Sequence, residues 1–152
     1  MNNKPESNLI GKLKEILIEH EDERVCVVGT TCTGKSYLIK HILHALDMDE
    51  LIFPLLSKEE SSYVMQKPWT PEIGKTMIRL VRERIKIQSG KPVFGTVVIS
   101  CDFIVYLKIS DILLRERTGK RGKQYSDAKN MQNQLEQEIK LSKIPYVEID
   151  MG

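Results

Sequence analysis

Eight residues, Gly29-Thr30-Thr31-Cys32-Thr33-Gly34-Lys35-Ser36, fit the pattern G-x-x-x-x-G-K-[ST] and directly follow the apolar run Val25-Cys26-Val27-Val28. A strand that ends in such a turn and opens a helix constrains this chain more than any other feature, because every residue type in it answers a need of phosphate binding. Gly29 and Gly34 let backbone N–H groups wrap a phosphate closely. Lys35 is spaced to reach β- and γ-phosphates, Ser36 to offer its hydroxyl to Mg2+, and the helix start to stabilise negative charge. The motif predicts that Gly29, Thr30, Thr31, Cys32, Thr33, Gly34, Lys35 and Ser36 hold a nucleoside triphosphate. With no Asn-Lys-x-Asp segment to read guanine, ATP with Mg2+ is the expected pair.

At 152 residues the chain has the size of one domain, so nucleotide and acceptor must share residues 1–152. Hydrophobic residues at 41% and charged residues at 29% describe a globular chain with no run approaching a membrane span. The polar start Met1-Asn2-Asn3-Lys4-Pro5-Glu6 has no apolar signal region, and the expected location is cytoplasmic. Cys26, Cys32 and Cys101 show no metal-ligand spacing. Cys26 and Cys101 read as small core residues. Cys32, at a helix start beside Lys35, is a candidate for oxidation.

The net charge is only +2, but it is unevenly placed. Residues 47–60 hold five acids and one base, residues 75–91 six bases and one acid, and residues 108–123 six bases and two acids. In a near-neutral nucleotide-binding chain, basic clusters of this size fit phosphate clamps better than a nucleic-acid surface.

Leu9, Ile10, Leu13, Ile16 and Leu17 predict an amphipathic helix within residues 1–24 that covers a sheet. Val25–Val28 is the first strand. Lys35–Leu46 reads as the following helix, with Leu38, Ile42 and Leu46 facing the core. His41 and His44 lie on it without a third ligand for a metal. Leu51-Ile52-Phe53-Pro54-Leu55-Leu56 reads as a second strand at an edge, because of Pro54. Residues 57–71 read as a loop closed by Pro68-Trp69-Thr70-Pro71. A long helix from Thr70 or Pro71 to Gln88 carries Lys75, Arg79, Arg82 and Lys86 on one face. Short strands are expected at Pro92–Phe94 and Pro145–Ile149, and a fully buried one at Phe103–Ile109. The strands at Pro92–Phe94 and Phe103–Ile109 are too close in sequence for a parallel crossover between neighbours, unless residues 96–100 form a short helix. Helices follow at Asp111–Arg117 and Ala128–Ser142, separated by the basic loop Thr118–Gly122. The alternation predicts an α/β fold, three layers α/β/α around a mostly parallel sheet of about five strands.

The run Phe103 to Gly122, with Arg117-x-x-x-Arg121 after its strand and helix, resembles the small nucleoside and nucleotide kinases of the P-loop class, including adenylate, cytidylate and shikimate kinases. The resemblance implies the P-loop NTP hydrolase fold. It also implies that Lys35, Arg117 and Arg121 are catalytic, the arginines contacting ATP and the transferring group from a LID-like segment at about 115–127. Guanidinium forks suit equatorial phosphoryl oxygens. Gly95-Thr96-Val97-Val98 looks like the stretch after the third strand of bacterial cytidylate kinases and implies an acceptor contact at Thr96. Where that family has an Arg-Asp pair before the glycine, this chain has Pro92-Val93-Phe94, which speaks against cytidylate as acceptor.

Remaining acceptor candidates are Arg79 and Arg82, on the cationic helix face, and Glu59, which with Glu60 follows the expected second strand. Asp47 and Asp49 precede that strand and are expected at the amino ends, away from the phosphate loop, as is Asp102. Two functions stay open. One is an ATP-dependent kinase for a small-molecule or nucleotide acceptor. The other is a P-loop ATPase or nucleotide-sensing domain that acts on a macromolecular partner.

Overall fold

The computed structural model describes residues 5–67 and 70–152. The chain runs α1 (Pro5–Glu19), β1 (Val25–Val28), α2 (Lys35–Ile39), β2 (Leu46–Asp47), α3 (Met48–Ile52), a 3-10 turn at Phe53–Leu55, α4 (Lys58–Val64), α5 (Pro71–Arg84), β3 (Val93–Gly95), β4 (Phe103–Lys108), α6 (Asp111–Lys120), α7 (Tyr125–Ser142) and β5 (Tyr146–Asp150). The strands form one all-parallel sheet in the order β2-β3-β1-β4-β5. Because β1 lies between β3 and β4, those two strands are not neighbours, as their spacing requires.

Parallel strands buried on both faces need two cores, and the side chains alternate between them accordingly. Cys26, Val28, Ile104 and Tyr106 join Ile52 of α3, Leu80 and Val81 of α5, and Leu135 and Ile139 of α7 on one face. On the other face Val25, Val27, Val105 and Leu107 meet Leu13 of α1, Leu38 of α2 and Leu114 of α6. The result is an α/β fold in three layers. Among the described residues no helix is long and apolar enough to cross a membrane.

Five elements depart from the sequence expectation. The helix after the phosphate loop stops at Ile39, and the chain then turns through residues 40–44, with His44 at φ 65°. The second strand is not Leu51–Leu56 but the two residues Leu46–Asp47; Leu51 and Ile52 close α3, and Phe53–Leu55 form the 3-10 turn. Residues 58–64, expected in a loop, form α4 with a capping box between Ser57 and Glu60. The long helix ends at Arg84, so Lys86 lies beyond it and the row of four cations is broken. Thr70 caps that helix, while Pro68, Trp69 and residues 1–4 lie outside the described residues. The basic loop expected at Thr118–Gly122 is, through Lys120, the last turn of α6.

Candidate functional site

Sheet register sets the level at which each functional residue stands. Val28 of β1 lies beside Gly95 of β3 on one side and Tyr106 of β4 on the other, so the phosphate loop leaves the sheet at their carboxyl ends. The Gly29 N–H donates to the Gly95 carbonyl at 3.2 Å, which ties the loop to β3. A Cβ on Gly29 would stand 3.1 Å from Thr33 Cγ2 and 3.2 Å from Leu107, so a side chain there would press Thr33 and Leu107 aside by a few tenths of an ångström. Gly34 has φ 111°, a conformation that costs an L-residue about 1–2 kcal/mol. Both glycines of the motif therefore have a physical reason here.

Lys35, in the first turn of α2, donates from Nζ to the carbonyls of Gly29 at 2.8 Å and Thr30 at 2.7 Å. Burial lowers its pKa to about 8, against the raising effect of Asp49, Asp47 and Cys32, with Arg121 adding to the fall. An ammonium held this way is poorly compensated and gains from a polyanion. Ser36 is exposed beside it. Thr33 donates its hydroxyl to the Thr30 carbonyl, and Thr30 donates its own to the Ala128 carbonyl at 2.6 Å, which clasps the loop to the first turn of α7. Cys32 takes a left-handed conformation at φ 66°, and its side chain, a candidate for oxidation by sequence, is buried in the second core.

Arg117 reaches the loop from α6. Its Nη1 donates to the carbonyl of Thr33 at 2.7 Å and of Cys32 at 3.4 Å, and it would stand 3.4 Å from a Cβ on Gly34. Arg121 follows at the end of α6 and is exposed, near enough that its charge bears on Lys35. Thr96 lies directly after β3 and is half-buried. The motif residues, Arg117, Arg121 and Thr96 therefore gather at one end of the sheet.

The acids are placed otherwise than expected. Leu46 pairs with Val93 and Asp47 with Phe94, so β2 brings Asp47 to the carboxyl end of the sheet. Asp47 caps α3 by accepting the Asp49 N–H at 2.9 Å, and both charges act on Lys35. Partial desolvation, then the Asp47 charge, holds Asp49 above its ordinary range, with Lys35 opposing. Their assignment to the amino ends rested on a strand at 51–56, and it is overturned with that strand. The signal was present: Asp47 followed by Asp49 and Glu50 before an apolar run is a helix start.

The same error had favoured Glu59 and Glu60. Glu59 is exposed in the first turn of α4, and Glu60 forms a two-pronged pair with Arg84 at 2.6 and 2.7 Å. Arg79 pairs with Glu83, and Arg82 donates to the Val98 carbonyl and to Glu138, both at 3.0 Å. With Lys75 they line a groove of about 430 Å3 that α5 forms with Gln134 and Glu138 of α7. No described contact brings Glu59, Arg79 or Arg82 to the loop. Asp102 stands at the opposite end of the sheet and takes the Arg24 N–H at 2.8 Å, with the Arg24 guanidinium holding its carboxyl below the usual range.

A triphosphate fits this site, given the glycine geometry and the half-buried Lys35 ammonium that leads α2. Among the described residues no three His, Cys, Asp or Glu side chains gather as a metal site. Mg2+ here would take Ser36, carboxylate or water, and phosphate oxygens, in keeping with its preference for few protein ligands. No protein-family profile matches the chain, and no curated protein matches it in sequence.

Proposed function

We propose that the chain is an ATP-dependent kinase of the P-loop class, with a small molecule or a nucleotide as acceptor. The observation that carries it is the convergence of Lys35, Arg117, Arg121 and the acids Asp47 and Asp49 on one phosphate loop. A nucleotide-sensing domain needs the loop alone. Phosphoryl transfer also needs cations to neutralise the migrating group and a carboxylate to orient an acceptor.

Bound Mg·ATP supplies the γ-phosphoryl group, and Ser36 is the residue that would hold the ion. Lys35 exchanges the carbonyls of Gly29 and Thr30 for phosphate oxygens, which compensates its buried charge. Arg117 and Arg121 come from the C-terminal end of α6, and forked guanidinium donors match phosphoryl oxygens. Asp49 has no described hydrogen-bond partner for its carboxylate, and orients an acceptor hydroxyl or takes its proton. Asp47, committed to capping α3, tunes Lys35 by its charge. Gly95 accepts the Gly29 N–H and faces Met48 between the two acids, and Thr96 follows it in the chain.

The test is transfer of labelled γ-phosphate from ATP across a panel of nucleosides, nucleotides and small hydroxylated metabolites. A phosphorylated product that disappears in Asp49→Asn is the expected result. ATP bound, with no product from any acceptor, and hydrolysis stimulated only by a macromolecule, would overturn the kinase assignment.

A further inference from the structure

The two acids belong to a segment with little to hold it. β2 has two residues, and its ladder consists of the pairs Leu46 with Val93 and Asp47 with Phe94, supported by the Leu46 N–H to the Pro92 carbonyl at 2.9 Å. α3 has five residues. Hydrogen bonds of this number do not fix a carboxylate to the fraction of an ångström that transfer chemistry needs. Between half-buried Asp47 and exposed Asp49 stands Met48, which is 2% exposed and packed into the core.

Its neighbour is Gly95. A Cβ on Gly95 would lie 2.5 Å from Met48 Sδ, 2.7 Å from its Cβ and 2.7 Å from its Cε. Sδ and Cε could swing aside, because a thioether chain adapts readily. Cβ could not, since it moves only with the backbone that carries Asp47 and Asp49. Gly95 is meanwhile bound to the loop, its carbonyl accepting the Gly29 N–H. One residue thus touches the phosphate loop through its backbone and the acid segment through its bare Cα.

We propose that Met48, seated against Gly95, is a positioning residue that fixes Asp47 and Asp49 at a set distance from the phosphate loop. This rests on the kinase reading for its consequence in catalysis, but the contact itself can be tested without it. Gly95 is the gauge: any side chain there pushes the acid segment outward, while ATP still meets an intact loop.

Three variants decide the matter: Gly95→Ala, Met48→Ala, and the double variant Met48→Gly/Gly95→Ala, which moves the missing Cβ to the other side of the contact. The first readout is the Asp49 backbone amide by NMR, whose proton is held by Asp47 Oδ1. The second is kcat and KM for ATP. Gly95→Ala is expected to raise exchange of the Asp49 amide and to lower kcat about 100-fold, the order that a 1 Å misplacement costs, with KM for ATP within about 2-fold. The double variant relieves the clash and recovers both readouts only as far as Met48→Ala, since it too lacks the thioether side chain. Met48→Ala, which keeps Gly95, raises Asp49 amide exchange and lowers kcat less, and it carries the test if Gly95→Ala does not fold.

An Asp49 amide unchanged in both Gly95→Ala and Met48→Ala overturns the proposal. So does a double variant no better than Gly95→Ala in either readout. If the unaltered protein transfers no phosphoryl group, the kinase reading falls, and the amide readout alone still decides whether Met48 positions the acids.

Discussion

At the scale of single residues, Lys35 and Arg117 do different work although both are cations on one loop. Desolvation lowers the Lys35 pKa to about 8, so under the kinase reading a bound phosphate is where its ammonium regains compensation. Lys35→Ala is expected to weaken ATP binding at least about 10-fold and to lower transfer about 100-fold or more, as loss of a preorganised charge does. Arg117 already donates to the Thr33 and Cys32 carbonyls and therefore braces the loop in the absence of any phosphate. Arg117→Ala then lowers kcat and also loosens the loop, and Arg117→Lys does not restore it, because an ammonium donates from one nitrogen on a flexible stem and lacks the planar fork that can hold the loop carbonyls through Nη1 while its other N–H groups meet a phosphoryl oxygen. Isothermal calorimetry with ATP and steady-state kinetics separate the two. Equal losses of affinity and rate in both variants would contradict this division.

At the scale of elements, the clamp between α4 and α5 gives a pH dependence of known sign. Glu60 is bound by the Arg84 guanidinium and by the Ser57 N–H, which hold its pKa down to about 2 from 4.5. A carboxylate whose folded pKa is depressed contributes stability that is present above about pH 4.5 and lost as pH falls toward 2. Glu60→Gln should therefore flatten the acid limb of a pH–stability curve measured by urea denaturation, with the difference from the parent protein shrinking below about pH 4.5 and closing only near pH 2. A difference that persists unchanged from pH 7 to pH 3 would mean that packing, not ionisation, holds the two helices. This clamp was invisible in the sequence, where Glu60 stands in a segment read as a loop and Arg84 in a longer helix, off its row of four cations. Legibility follows a physical rule here. β1 and β4 are long or apolar enough to declare themselves, and the loop carries its own residue types. β2 has two residues and no period at all, whereas Leu51–Leu56 is apolar on every residue, so a strand and a one-sided helix predict the same letters. In the structure only Ile52 of that run is fully buried, with Pro54 and Leu55 exposed, which is helix-like sidedness. The acids were misplaced as a consequence, since an end of the sheet cannot be assigned without its strand. The helix after the loop failed for a related reason. Leu38, Ile42 and Leu46 fit one helical stripe, yet Leu46 had to serve β2, and the chain left the helix at Ile39 to reach it.

At the scale of the whole molecule, the phosphate loop is the place where both cores meet. Lys35 stands on α2, which packs on one face, while Asp47 and Asp49 flank Met48, which packs on the other. Arg117 reaches the loop from α6, and Thr30 binds the loop to α7 through Ala128. A ligand that bridges Lys35, Arg117 and the acid segment therefore links elements from both layers, and its binding energy appears in the global unfolding transition. At ATP concentrations 100 times the dissociation constant the folded state gains about 2.7 kcal/mol. For a chain of 152 residues, at about 2–4 °C per kcal/mol, the melting temperature rises roughly 5–11 °C. Differential scanning fluorimetry with Mg·ATP measures it. The rise should disappear in Lys35→Ala, while Glu60→Gln keeps it, because Glu60 is bound to Arg84 and lies outside the site. No rise at any concentration of Mg·ATP would remove the nucleotide itself from the account. A full rise in Lys35→Ala would place the nucleotide somewhere other than the loop.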